Sequence, residues 1–405
     1  MTIFFLKKIL RLSFVTPVFM GLFIACRAHA STIEPFDTIA APVITVHEKL
    51  PHDISFCIAD LKYNYPTIKI CEFGQATRSK FKGYEQLFGE GKIWSLFWHY
   101  LAHLNLASIF VEDKYNTRNK QWQQEMALTE FMRYGGHVTT PSIFFHHVFG
   151  SIKNTRKRIN SPQSNIIIYP HFSPTIGKCF LLQKNNLSCF LDFATEPYVN
   201  NKYATHKIMC ECSLHHYRPT CFLSSKYYTH TLAAKIQSTM PAEKYVIKPL
   251  NAAKGLGVII INHTELDRTL KKLFAKKSAV QPKDPLFSYW KKDRNTLFLV
   301  EEYVASKAIT IDNLTYDPTM RIIFALRHQN GRIFVDFCDG YWKLPIKALN
   351  ENGTLTEKHK SNINPHRSCS AKIDPDDFNY VKSILRPILA NAYLTMLRHT
   401  AKKLT

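Results

Sequence analysis

The sequence predicts an α/β protein, and three observations lead there. Elements of strand and helix period alternate through the first half of the chain. A second series with its own order begins near Glu196-Pro197, and a hairpin-like pair, Met320 to Arg327 and Arg332 to Phe337, flanks Asn330-Gly331. Length and composition agree: 405 residues, 45% hydrophobic and 13% aromatic, can build proper cores and exclude a mostly disordered chain.

The elements follow in order. Lys7, Lys8 and Arg11 precede an apolar stretch from Leu12 to Ala25, and Ala28-His29-Ala30 stands before Ser31, the pattern of an export signal over residues 1–30. The apolar run is shorter than the roughly 20 residues of a membrane span and contains Pro17, which argues against an uncleaved anchor. Cys26 offers a lipid-attachment alternative, with Phe23 a poor fit to that pattern. After a polar lead-in to about Asp53, Ile68 to Cys71 reads as a strand and Ile93 to Leu106 as an amphipathic helix with Trp94, Phe97, Trp98 and Leu101 on one side. Ser108 to Val111 is a strand, Gln121 to Tyr134 a helix stopped by Gly135-Gly136, and Asn165 to Tyr169 a buried strand. The second half reads as helices from Asn201 to Ser213 and Thr229 to Thr239, strands Tyr245 to Leu250 and Gly257 to Ile261, and a basic helix from Glu265 to Lys277. Strand Leu297 to Val304, the hairpin, and a helix from Asp376 to about Thr400 with Pro387 inside complete the chain.

The formal charge is +22, and losing Lys7, Lys8, Arg11 and Arg27 with the signal still leaves +18. Such an excess calls for an anionic partner without naming it. Ten cysteines without tight repeated pairs do not make a disulfide scaffold. Cys210, Cys212, His215, His216 and Cys221 form a loosely zinc-like run, but Cys210 and Cys212 stand too close together for the usual structural knuckle.

Chemistry concentrates in Tyr245-Val246-Ile247-Lys248-Pro249 and the return through Lys254-Gly255-Leu256-Gly257-Val258. A buried strand delivers Lys248, Pro249 stops the ladder, and a glycine loop with Lys254 exposes backbone N–H groups, all suited to phosphate. No Gly-x4-Gly-Lys-Ser/Thr is present, which excludes a P-loop. The order lysine then glycines, without His-Arg-Asp or Asp-Phe-Gly, excludes a protein kinase. Leu297 to Val304 follows as an apolar strand ending in Glu301, Glu302, Tyr303 and Val304.

With these motifs in this order, together with Asn201-Lys202 and Arg218-Pro219-Thr220, the stretch from about Asn200 to Arg321 resembles the ATP-grasp superfamily. The resemblance implies an amino-terminal α/β domain (residues 31–195) followed by a two-lobed, α+β ATP-grasp domain (196–405), the small lobe about 218–300 and the large lobe about 301–405. It implies that Lys248, Lys254 and the loop glycines Gly255 and Gly257 contact ATP phosphates, with Lys202 a further ligand. Glu301, Glu302, Tyr303 and Val304 would hold the adenine edge. The Asp that commonly precedes such a lysine is Asn201 here. Tyr316 to Phe324 is similar to the strand that carries Asp and Arg in the tubulin-tyrosine-ligase branch, although Asp317 and Arg321 stand four apart rather than separated by one residue. Arg321 would then act on the transferred phosphoryl group.

Magnesium is expected from the same resemblance, yet no late Glu-x-Asn strand exists; Asp317, Asp336 and Asp339, with Asn362 or Asn364, are the candidate ligands. Two functions follow from these motifs. One is an exported ATP-dependent ligase that makes an amide-type bond through an acyl phosphate, its carboxylate and nucleophile unidentified and an acidic peptide or other polyanion a suitable acceptor. The other is a noncatalytic nucleotide- or anion-binding protein on a degenerate ATP-grasp scaffold. Nucleic acid ranks last, since no recognition motif or aromatic-basic interleaving is present. Export to the periplasm or beyond conflicts with the need for ATP, and secretion into a host cell would reconcile the two.

Overall fold

A computed structural model describes residues 41–76, 80–104, 106–110, 137–139, 165–168, 188–199, 201–251, 255–275, 285–361 and 369–404. The export signal, the helix expected over 121–134, Lys254, Asn362 and Asn364 lie outside these residues. The strands are β1 (Ile44–Thr45), β2 (Asp53–Asn64), β3 (Thr67–Gln75), β4 (Leu106–Phe110), β5 (His137–Thr139), β6 (Asn165–Ile168) and β7 (Ser188–Leu191). They continue with β8 (Cys221–Ser225), β9 (Lys244–Pro249), β10 (Ile259–Asn262), β11 (Leu297–Glu302), β12 (Ile309–Ile311), β13 (Leu314–Tyr316), β14 (Thr319–Gln329), β15 (Arg332–Lys343) and β16 (Ser370–Ala371). Helices interleave with them, so the class is α/β as the sequence predicts.

Among the described residues a ten-stranded sheet runs β1-β15-β14-β2-β7-β6-β4-β5, with β3 on β2 and β16 on β15. Strand β2 joins its parts. Its first residues pair in parallel with β7, its later ones antiparallel with β3, and its other edge antiparallel with β14 from Asp53↔His328 to Leu61↔Met320. Strands from the segment expected as an amino-terminal domain (31–195) and from the expected large lobe (301–405) thus share one sheet, within a unit spanning residues 41–405.

The sheet's two faces differ by strand parity. On one face Cys57, Ala59, Leu61 and Tyr63 of β2 and Ile322, Phe324 and Leu326 of β14 form the main core with Leu385, Leu389, Tyr393 and Leu397. Those last four belong to the helix Pro375–Leu404, which contains Pro387. The opposite parity puts Asp60 and Lys62 of β2, Arg321 of β14, and Tyr341 and Lys343 of β15 on one cavity.

A smaller antiparallel sheet, β10-β9-β11-β8, repeats the device. Tyr245, Ile247, Ile259, Ile261, Phe298 and Val300 pack on Leu232, Ile236, Leu266 and Leu270 of the helices Leu232–Thr239 and Leu266–Phe274. Alternate residues Val246, Lys248, Ile260 and Glu301 then face the same cavity.

The β14–β15 hairpin closes at Asn330-Gly331, with φ of 51° and 68°. A Cβ on Gly331 would lie 2.7 Å from the carbonyl oxygen of Val46, so the position tolerates neither the dihedral nor the volume of a larger side chain. Gly331→Val is expected to lower the unfolding free energy by about 1–2 kcal/mol from the left-handed backbone alone, read by chemical denaturation.

Two carboxyls lie deep at the β2–β7 junction. Burial pushes Asp53 up to about 6, although Tyr393, Ser55 and the N–H groups of Ala194 and Phe193 donate to it. Burial pushes Asp192 up to about 7, against hydrogen bonds from Gln75 and the N–H of Phe56. The folded protein thus keeps protons that the unfolded chain releases near the ordinary carboxylate value of about 4, so stability falls as pH rises from there through 6 and 7. Asp192→Asn is expected to shrink the loss between pH 4 and 7, measured as the change in denaturation midpoint across that range.

Candidate functional site

The two sheets face each other across a cavity of about 260 Å³. On the small-sheet side, the middle-strand residue Lys248 lies opposite Leu299 in the β9–β11 ladder, and its ammonium donates a short hydrogen bond to Glu301. Arg218 donates to the other oxygen of Glu301 at 3.1 Å, with both side chains 1% exposed. Burial alone would lower the Lys248 pKa, but the Glu301 carboxylate outweighs it and the value is raised. One carboxylate therefore carries two cations inside the protein, and the lysine stays charged.

Beyond β11 the chain turns along the cavity. The Glu302 N–H donates to the Thr220 carbonyl at 2.9 Å, and the Glu302 carboxylate accepts from the Thr220 N–H at 2.8 Å. Tyr303 and Val304 line the cavity next. The Tyr303 hydroxyl donates to Asp317, which also accepts from Lys62 at 2.8 Å and from the Ser306 N–H at 2.7 Å and meets His359 Nδ1 at 2.9 Å. Burial raises the Asp317 carboxyl, but His359 and Lys62 overcome it and hold the pKa at about 2. Asp317, a candidate metal ligand in the sequence, is thus a hub that accepts from Lys62 and Tyr303 and meets His359.

The large-sheet side is a second ion cluster. Arg321 grips Asp60 through Nε at 2.7 Å and Nη2 at 2.8 Å, and Lys343 reaches the same carboxylate at 2.7 Å. Burial would raise Asp60, but Arg321 and Lys343 hold it well below the ordinary carboxylate range. Arg321 Nη1 also donates to the carbonyl of Lys80 at 2.5 Å. Three of its five donors are committed within the protein, so Arg321 fixes the loop carrying Lys80 as well as lining the cavity.

The other expected residues divide. Lys202 and Gly255 line the cavity, and Asn201 caps the helix Lys202–Glu211 by accepting from Tyr203 N at 3.0 Å and Ala204 N at 3.1 Å. That capping role accounts for an amide at 201 and places Lys202 at the first helical position. Gly257, with φ 70°, packs against Pro249 and Tyr289 outside the cavity lining. Its carbonyl accepts from Trp290 at 2.8 Å, so it shapes the loop. Asp336 and Asp339, expected as metal ligands, also lie outside the lining: Tyr100 donates to the first and Tyr84 to the second, each at 2.6 Å.

The zinc-like run comes apart. His206 lies between Cys221, 3.2 Å from its Nδ1, and Cys210, 3.5 Å from its Nε2, while Cys212 turns to Thr395 at 3.1 Å. Among the described residues no group of three or more His, Cys, Asp or Glu is placed to hold a metal ion. Asp60, Lys62, Lys80, Arg218, Lys343 and His359 were not singled out as cavity or ion-cluster residues by the sequence reading. The available signal was the pair of charged residues two positions apart inside an apolar strand, Asp60-Leu61-Lys62.

No family model and no curated protein matches the sequence. Among solved structures the chain is similar to a protein described as a gamma-glutamylcysteine synthetase from Methylobacillus flagellatus KT, with a TM-score of 0.38, 11% identity, and coverage of 88% of this chain and 91% of that one. It is also similar to the D-cycloserine synthetase DcsG, with a TM-score of 0.31, 9% identity, and 73% and 82% coverage. A third is D-alanyl-alanine synthetase A from Vibrio cholerae O1 biovar eltor, with a TM-score of 0.29, 10% identity, and 57% and 59% coverage. Each of the three is described as a synthetase.

Glu301→Gln would leave Arg218 and Lys248 buried with a weakened partner. It is expected to destabilise the fold by about 3–5 kcal/mol, seen as a lower midpoint in denaturant with an unchanged slope.

Proposed function

We propose that the protein is an exported ATP-grasp ligase, which activates a carboxylate with ATP and joins it to an amine. The observation that carries this reading is the cavity itself: two sheets present Lys248, Lys343 and Arg321, and the start of the helix Lys202–Glu211 presents Lys202, to one space beside the strip Glu302–Tyr303–Val304. Cations on facing walls suit a nucleotide tail, and a chain leaving a β-ladder offers backbone donors and acceptors to an adenine edge. In the proposed reaction a carboxylate oxygen attacks the γ-phosphorus and the bond to the β-phosphate oxygen breaks, giving ADP and an acyl phosphate. An amine nitrogen then attacks the acyl carbon, phosphate leaves, and the nitrogen loses its proton. Lys248 and Lys202 would hold phosphate oxygens, while Arg321 would position the Lys80 loop and turn its remaining donors to the transferred group.

Export rests on the composition of residues 1–30, and secretion into a host cell would supply the nucleotide. Among the described residues no helix is long and apolar enough to cross a membrane. A noncatalytic anion-binding protein is the second reading, favoured by the way Asp60 and Glu301 are each already covered by two cations.

ATP or a nonhydrolysable analogue is expected to raise the melting temperature of the wild-type protein. Lys248→Ala leaves Glu301 paired with Arg218 and is expected to weaken binding about tenfold or more, the worth of a charge-assisted hydrogen bond. ADP release that depends on an added carboxylate and amine, drawn from a panel of amino acids and short acidic peptides, supports the ligase. Nucleotide binding without turnover across that panel supports the second reading, and neither binding nor turnover removes the ATP assignment.

A further inference from the structure

We infer that the cavity holds the polyphosphate of its ligand through the protein's own ammonium groups, Lys80, Lys202, Lys343 and Lys360, without a divalent ion between them. This deepens the nucleotide reading and rests on it for the identity of the ligand.

The donor chemistry comes first. A hard divalent cation needs oxygen ligands that are not already neutralised. Here Asp60 accepts from Arg321 and Lys343, Glu301 accepts from Arg218 and Lys248, Glu302 accepts from the Thr220 N–H, and Glu72 faces Lys80 at 4.0 Å. Placing magnesium on any of these carboxylates would set it beside an ammonium or guanidinium, or would break an existing hydrogen bond. The described residues therefore do not fit the metal expected from the sequence.

The balance of charge points the same way. Among the described residues, seven Lys and Arg side chains line the cavity against four Asp and Glu. An excess of buried positive charge is unfavourable until an anion enters, and the protein is built to hold it. The Lys80 ammonium lies against Gly74 of β3, where a Cβ would push that flexible side chain aside. Gly255, whose φ of 66° favours glycine, lies against the Lys360 side chain. Burial lowers the pKa of Lys80, Lys202, Lys343 and Lys360, a desolvation penalty that a bound polyanion would offset. Metal-free ATP carries more negative charge than its magnesium complex and meets this wall more strongly.

The test uses the full chain and two probes, ATP and inorganic tripolyphosphate, each titrated by calorimetry with EDTA and with excess magnesium. The inference expects ATP to bind in EDTA as tightly as with magnesium or more tightly. It also expects Lys80→Met and Lys343→Met each to weaken that binding about tenfold or more. The metal comparison on the wild-type protein decides the matter even where a variant fails to fold. ATP binding at least tenfold tighter with magnesium overturns the inference and leaves the nucleotide reading standing. Tripolyphosphate binding in EDTA with no ATP binding keeps the ammonium site and removes the nucleotide. Binding of neither probe removes both.

Discussion

Asp60 is the residue on which the cavity's large-sheet wall depends. It sits on β2 and receives Arg321 from β14 and Lys343 from β15, so one buried carboxylate ties three adjacent strands drawn from both ends of the described chain. Ion clusters of this kind add little net stability over an apolar core, because desolvation offsets most of the attraction. Their effect here is to fix position. With Arg321 held by Asp60, its Nη1 and the Tyr341 hydroxyl both donate to the carbonyl of Lys80, which anchors the backbone of that residue.

The opposite wall uses the same logic with different residues. Glu301 gathers Arg218 and Lys248, and the β8–β11–β9 pairing sets the distance between them. Each wall thus consists of a carboxylate and two cations; Glu301 raises the Lys248 pKa against burial, whereas burial and Arg321 leave Lys343 lowered despite Asp60. The short helix Leu355–His359 links the walls. Thr356 accepts from the Ile260 N–H at 3.0 Å at the edge of the small sheet, and His359 meets Asp317 beside the large one. The edge of the small sheet and the Asp317 group that holds Lys62 and Tyr303 are therefore linked through a few hydrogen bonds.

Much of the small sheet was legible beforehand because its information is local. Alternating apolar residues in Tyr245 to Pro249 and Leu297 to Glu302 announce strands, and the polar residues that break the alternation, Lys248 and Glu301, must point away from the helix-covered face. Strand β2 is hard to read from sequence, since eleven of its twelve residues are buried and only Asp60 and Lys62 mark its cavity face against an otherwise apolar second half. The cavity residues it carries, Asp60 and Lys62, were missed with it.

The sequence by itself determined the class of fold, the hairpin at Asn330-Gly331 and the lysine and carboxylates of β9 and β11, because propensity, period and turn chemistry act over a few neighbouring residues. Only the tertiary structure decided what each charged group became. Asp317, Asp336 and Asp339 look alike as candidate metal ligands along the chain. In the fold the first orients Lys62 and His359, while Tyr100 and Tyr84 donate to the other two. Lys343 and Lys80 carry no local mark of a site and acquire one only when β2 pairs with β14 and brings Asp60 beside them. The reason is physical: the field at a side chain is the sum over neighbours that chain pairing delivers from far away in sequence, and burial magnifies each of those terms.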